Sequence, residues 1–114
     1  IVCGHYGCGG VRAATEDLPH GSTDHWLEPV RRIARAYAVD LAQAPDLAAR
    51  RDRLAELNVI EGVRRVSETP ILQRAWEAGA DVRVHGLIYG LKDGRLRDLD
   101  CSAGPGRLRA ETKD

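Results

Sequence analysis

Two apolar runs, Ile1-Val2-Cys3 at the start and the stretch from Val82 to Leu91 near the end, are separated by a long series of helical patterns. Strands joined by so long a helical connection lie parallel, because antiparallel neighbours need only a tight turn. That layout confines the chain to the α/β class: a mainly parallel sheet flanked by helices. The end of the chain adds one antiparallel element. Asp93-Gly94, set between apolar residues, is a strong hairpin signal and predicts a further strand over Arg95 to Leu99.

The connection divides into four expected helices. Val11 to Glu16 opens one, and Asp17 to Asp24 reads as a polar loop. Thr23 or Asp24 can cap the second, which is expected to run to about Val39. Trp26, Leu27, Val30, Ile33, Ala34 and Tyr37 form its apolar stripe, and Pro29 is expected near its first turn with a small kink. Asp46 begins the longest pattern, with Leu47, Leu54, Leu57, Val59, Ile60, Val63 and Val66 on one face as far as Ser67. Pro70 and Gly79 bracket the fourth, in the usual order of proline just inside and glycine just past the end. From Cys101 onward glycine, proline and charge predict a flexible tail over residues 101–114.

Two or three strands make a small sheet for that much helix. The chain begins inside a strand pattern and contains no Met. It is therefore expected to be the C-terminal part of a longer protein, truncated at its N-terminal strands. The 17 basic and 17 acidic residues cancel, which leaves no footprint for nucleic acid or an anionic membrane. No apolar run approaches the ~20 residues of a membrane-spanning helix. Three cysteines are few and odd in number for a disulfide framework, so a reducing, cytoplasmic setting is expected.

The chemistry is concentrated in Ile1-Val-Cys-Gly-His-Tyr-Gly-Cys-Gly-Gly10. Imidazole and thiolate are zinc donors, at about 2.0–2.1 and 2.3 Å respectively. His5 and Cys8 can share an ion only if the chain curls between them, since residues three apart on a straight strand face opposite sides. Tyr6-Gly7 can supply that curl. A helix starting after Cys8 would favour its thiolate. Three alternatives stand beside a metal site. Cys3 and Cys8 could form a redox pair, although no Cys-x-x-Cys is present and a strand cysteine such as Cys3, or the later Cys101, is usually an inert core residue. The glycines could form a phosphate loop, but they match neither G-x-G-x-x-G nor a Lys-bearing P-loop. A plain strand-to-helix turn would not need both donors. His20 and His25 are expected in or beside a polar loop, and His85 as a hydrogen-bonded strand residue.

Gly4 to Ala14, "GHYGCGGVRAA", resembles the second zinc motif of the β-class carbonic anhydrases, His-x-x-Cys followed by glycines. "HWLEPVRRI", "RLAELNVIEGVRRVSETPILQRAW" and "VHGLIYGLKDGRLRDLD" resemble the same family in order and spacing. The resemblance spans about residues 1–100, which it implies are the C-terminal part of a single domain. It implies reversible hydration of carbon dioxide to bicarbonate, with Zn2+ held by two Cys and one His. His5 and Cys8 match the second and third of those ligands. The resemblance further implies that the metal would lower the pKa of a bound water, whose hydroxide would attack the substrate carbon. Gly9 and Gly10 would border the substrate pocket. The family's first motif, Cys-x-Asp-x-Arg, has no match in this chain. The first ligand and the Asp–Arg pair are thus missing, and the resemblance implies little or no activity for this chain as it stands. A homodimer or tetramer is implied for the full-length enzyme. A non-catalytic zinc-binding or regulatory relative, or a thiol redox module using Cys3 and Cys8, are the alternatives.

Overall fold

The computed structural model describes residues 1–16, 19–105 and 107–108. Its elements are β1 (Val2–His5), α1 (Gly9–Ala14), α2 (Thr23–Ala36), α3 (Ala38–Ala42), α4 (Leu47–Ser67), α5 (Pro70–Glu77), β2 (Gly86–Gly90), β3 (Arg95–Asp98), β4 (Ala103–Gly104) and β5 (Arg107–Leu108). The main sheet has the order β1-β2-β3. β1 pairs parallel with β2, from Val2 opposite Gly86 to His5 opposite Tyr89, across the expected helical crossover. β2 and β3 form the expected antiparallel hairpin. Gly94 supplies its turn with φ +69° and donates its N–H to the Gly90 carbonyl at 2.8 Å.

α4 is the central helix. Asp46 caps it by accepting the Ala49 N–H at 2.7 Å. Its buried face carries Leu54, Ala55, Leu57, Val59 and Val63. Leu54, Leu57, Val63 and the β2 residue Ile88 are the largest fully buried side chains. The helix lies directly against β1 and β2, and glycines permit the approach. A Cβ on Gly4 would stand 2.7 Å from Val59 Cγ2, and one on Gly62 2.9 Å from Val2 Cγ1. A Cβ on Gly86 would meet Cys101 Sγ at 2.5 Å and Val63 Cγ2 at 2.9 Å.

α5 ends in a Schellman motif. Gly79 takes φ +84°, the Ala80 N–H donates to the Ala75 carbonyl and the Gly79 N–H to that of Trp76.

Four sequence expectations are corrected. The second helix does not run unbroken to Val39: Tyr37 leaves helical geometry (φ −108°, ψ 27°) and separates α2 from α3, making five helices among the described residues. Its hydroxyl donates to Glu61 on α4 at 2.7 Å, tying the break to the core helix. Pro29 lies well inside α2 rather than near its first turn, and the helix continues past it. Trp26 is 78% exposed, so it does not belong to the buried stripe. The tail does not begin at Cys101. Cys101 and Ala103 are buried, and Ala103 bridges back to Val84, where each N–H donates to the other carbonyl at 2.9 Å. Of the predicted tail, Gly106 and residues 109–114 lie outside the described residues.

Gly86→Ala is expected to destabilise the fold by about 1–3 kcal/mol through overpacking against Cys101 and Val63. Urea unfolding monitored by circular dichroism checks this; an unchanged midpoint would contradict the close approach.

Candidate metal centre

The end of β1 sets the geometry of the opening motif. His5 closes the strand, and the Tyr6 N–H donates to the Tyr89 carbonyl at 3.0 Å, the last rung toward β2. Gly7 then takes φ +74°, a left-handed conformation that a side chain would strain. The chain turns there, as the metal spacing requires. Cys8 follows as the N-cap of α1, in extended geometry, and its carbonyl accepts the Arg12 N–H at 3.0 Å. Its side chain makes no capping hydrogen bond, so the sulfur is not committed to the helix.

His5 is exposed, and its Nδ1 lies 2.8 Å from the Tyr6 carbonyl oxygen. A carbonyl only accepts, so Nδ1 carries the proton and donates it. In the neutral ring this leaves the lone pair on Nε2, the form in which imidazole ligates a metal. Imidazole nitrogen and thiolate sulfur suit zinc in kind. In number they fall short. Among the described residues no three His, Cys, Asp or Glu side chains stand close enough to hold one metal ion.

Cys3 is corrected from core to surface. Val2, Gly4 and Tyr6 turn toward α4, as Gly4's closeness to Val59 and the Tyr6–Glu56 contact show. Strand alternation therefore sends Cys3 and His5 to the opposite face, where both are exposed. All three cysteines are free thiols. Cys101 is the core cysteine, and burial pushes its thiol pKa upward. His85 hydrogen-bonds through Nδ1 to Ser102 Oγ at 2.7 Å, and His25 stacks edge-on against Trp26. Gly9 and Gly10 form the first turn of α1.

Two features of the site were not anticipated from the sequence. The first is a cavity of about 590 Å³ at the C-terminal ends of β1 and β2. Cys8 and Tyr6 line it together with Arg12, Arg51, Lys92 and Arg97. The lining acids are Asp52 and Asp93, leaving an excess of positive charge. The second is a polar chain behind the turn. The Tyr6 hydroxyl donates to Glu56, whose other oxygen accepts from Arg53 at 3.1 Å. Arg53 also binds Asp40 through both Nε and Nη2, at 3.1 Å each, and holds the Asp40 carboxyl below its usual range. Arg97 covers the Tyr6 ring at 5.8 Å. The residue types alone carried no signal for a partnership between Tyr6 and Glu56, because they meet only through the fold.

A family model described as carbonic anhydrase matches residues 1–96. A tetrameric β-carbonic anhydrase of Sordaria macrospora superposes with a TM-score of 0.80 at 33% identity, covering 89% of this chain and 51% of that one. The chain belongs to the β-class carbonic anhydrase family. A carbonic anhydrase of Emericella nidulans is 42% identical over 100 residues, 88% of this chain and 44% of the relative. The β-carbonic anhydrase CafA of Aspergillus fumigatus superposes with a TM-score of 0.79 at 39% identity, covering 86% and 46% of the two chains. The chain thus spans about half, or less, of the length of these relatives.

Burial and the Glu56 contact push the Tyr6 pKa up to about 12 from an unfolded value of 10.0. A raised folded pKa gives stability that is complete below the unfolded value and lost as pH rises through the folded one. The chain is expected to lose stability between about pH 10 and pH 12, and Tyr6→Phe to lose less over that interval. Urea midpoints across the window check this; equal slopes for both proteins would contradict it.

Proposed function

We propose that this chain carries the His-x-x-Cys half of the zinc centre of a β-class carbonic anhydrase, an enzyme that interconverts carbon dioxide and bicarbonate. The observation that carries the proposal is the left-handed turn at Gly7, which lies between a histidine with Nε2 free and a cysteine with an uncommitted sulfur. When bound, zinc supplies Lewis-acid chemistry and lowers the pKa of a coordinated water toward neutrality.

The chain's own residues prepare the site. The Tyr6 carbonyl holds the His5 ring in one tautomer and one orientation. Tyr6 is itself anchored to α4 through Glu56, which fixes the carbonyl that orients His5. Cys8 stands at the cavity wall, where its sulfur would hold the metal. Arg12, Arg51, Lys92 and Arg97 make that cavity favourable for an anion such as bicarbonate. Gly9 and Gly10 follow Cys8 without side chains, and first-turn N–H groups have no partners within a helix. Neither glycine is among the residues that line the cavity. The Sordaria relative is tetrameric, which supports a homo-oligomeric enzyme.

Two donors do not complete a tetrahedron, and the Cys-x-Asp-x-Arg motif has no match here. Carbon dioxide hydration by this chain is therefore expected to stay at the background of free zinc in stopped-flow assays. Zinc uptake, measured by competition with a chromophoric chelator, is expected for the chain and lost in His5→Ala and Cys8→Ala. Zinc uptake unchanged in both variants, or fast hydration by the chain alone, would overturn this.

A further inference from the structure

We propose that the cavity at the C-terminal ends of β1 and β2 is a further binding site, for an organic phosphate monoester with an apolar body, in addition to the carbon dioxide reaction and independent of zinc. The cavity lies on the α4 face with Tyr6, whereas strand alternation turns His5 to the other face. His5 is not among its lining residues. Its volume, about 590 Å³, falls within the range of pockets that hold organic ligands, roughly 300–1,000 Å³. Bicarbonate, a single carbon and its oxygens, would leave most of it unfilled.

Charge selects the head of the ligand. Arg12, Arg51, Lys92 and Arg97 line the cavity against Asp52 and Asp93, an excess of two positive charges. A phosphate monoester carries about −1.5 to −2 at pH 7 and matches that excess more fully than the single charge of bicarbonate. The cations differ in how far they are already engaged. Arg97 is paired with Asp93 within the hairpin, and Arg12 loosely with Glu16 at 3.8 Å. Arg51 and Lys92 form no ion pair among the described residues. Thr15 Oγ1 accepts from Arg51 Nε at 2.9 Å, which holds the guanidinium and leaves both Nη groups to donate. Such a planar fork takes two phosphate oxygens at once, and an ammonium adds a point charge beside it.

The apolar body is read from the rest of the wall. Val11 of α1, Ala48 of α4 and Leu91 of the hairpin stand among these charges. Leu91 is 63% exposed, so an apolar group laid over it removes surface from water. The hairpin is packed tightly beside it: a Cβ on Gly90 would stand 2.5 Å from Asp93 Oδ1 and 2.8 Å from Arg97 Nη1. Cys8 shares the wall, so a bound ligand would cover its thiol.

Isothermal titration calorimetry of the 114-residue chain in EDTA, with naphthyl phosphate as the probe, tests this. Saturable binding of one ligand per chain is expected, about tenfold or more tighter than that of inorganic phosphate or bicarbonate. Arg51→Gln and Lys92→Gln, each shown to be folded by circular dichroism, are expected to weaken it about tenfold or more. Arg74→Gln, at an exposed position outside the cavity, is expected to leave it unchanged. The ligand is also expected to slow alkylation of Cys8 but not of Cys3, read by peptide mass spectrometry. Absence of binding, or an equal loss in Arg74→Gln, would overturn the proposal. So would inorganic phosphate or bicarbonate binding as tightly as the ester, or Cys8 alkylation unchanged at saturation. With zinc removed by EDTA, each of these results leaves the His5 and Cys8 assignment standing.

Discussion

The close seating of α4 on β1 and β2 is the contact from which the rest of the structure follows. Helix and sheet can approach this far because Gly4, Gly62 and Gly86 present no side chains where Val59, Val2, Val63 and Cys101 need the space. Dense contact of that kind is intolerant of even a single added methyl group. It buries Leu54, Leu57, Val63 and Ile88 in one step and joins the two parallel strands through the helix that crosses between them. Without it, β1 would be a four-residue strand held only by its pairing to β2.

That seating also decides which way the chemistry faces. Because Val2, Gly4 and Tyr6 are committed to α4, Cys3 and His5 are turned to the open face. Tyr6 then does two things at once. Its hydroxyl runs into the Glu56–Arg53–Asp40 chain, and its carbonyl fixes the His5 ring. The proposed metal donors are thus tied to the core through a single residue. This arrangement lets His5 and Cys8 remain accessible at the end of a short strand while their backbone stays placed. The arginines line the same cavity as Tyr6, Gly7 and Cys8, so positive charge gathers on the Cys8 side of the turn.

Much of this was legible in the sequence because it depends on local chemistry. The Asp46 cap, the Pro70–Gly79 bracket, the Asp93-Gly94 turn and the need for a curl at Tyr6-Gly7 each follow from residues a few positions apart. What was hidden depends on distant partners. A run as short as Ile1-Val2-Cys3 does not reveal which face of its strand is covered, so Cys3 seemed a core residue. Cys101 and Ala103 carry tail-like neighbours, and only their pairing with Val84 and contact with Gly86 draw them inside. The break at Tyr37 accompanies a hydrogen bond to a helix much further along the chain. The Tyr6–Glu56 contact is separated by fifty positions and leaves no periodic trace.

The chain belongs to the β-class carbonic anhydrase family, and His5 and Cys8 are the zinc donors proposed for it. The matched region covers about half, or less, of these relatives, and the His-x-x-Cys stretch with its Gly7 turn is the part proposed to meet the metal. The central claim is that His5 and Cys8 act together on one ion. X-ray absorption at the zinc edge of the loaded chain tests it most directly. The expected inner shell combines sulfur at about 2.3 Å with imidazole nitrogen at about 2.0–2.1 Å. A shell of oxygen and nitrogen alone, or of sulfur alone, would contradict it.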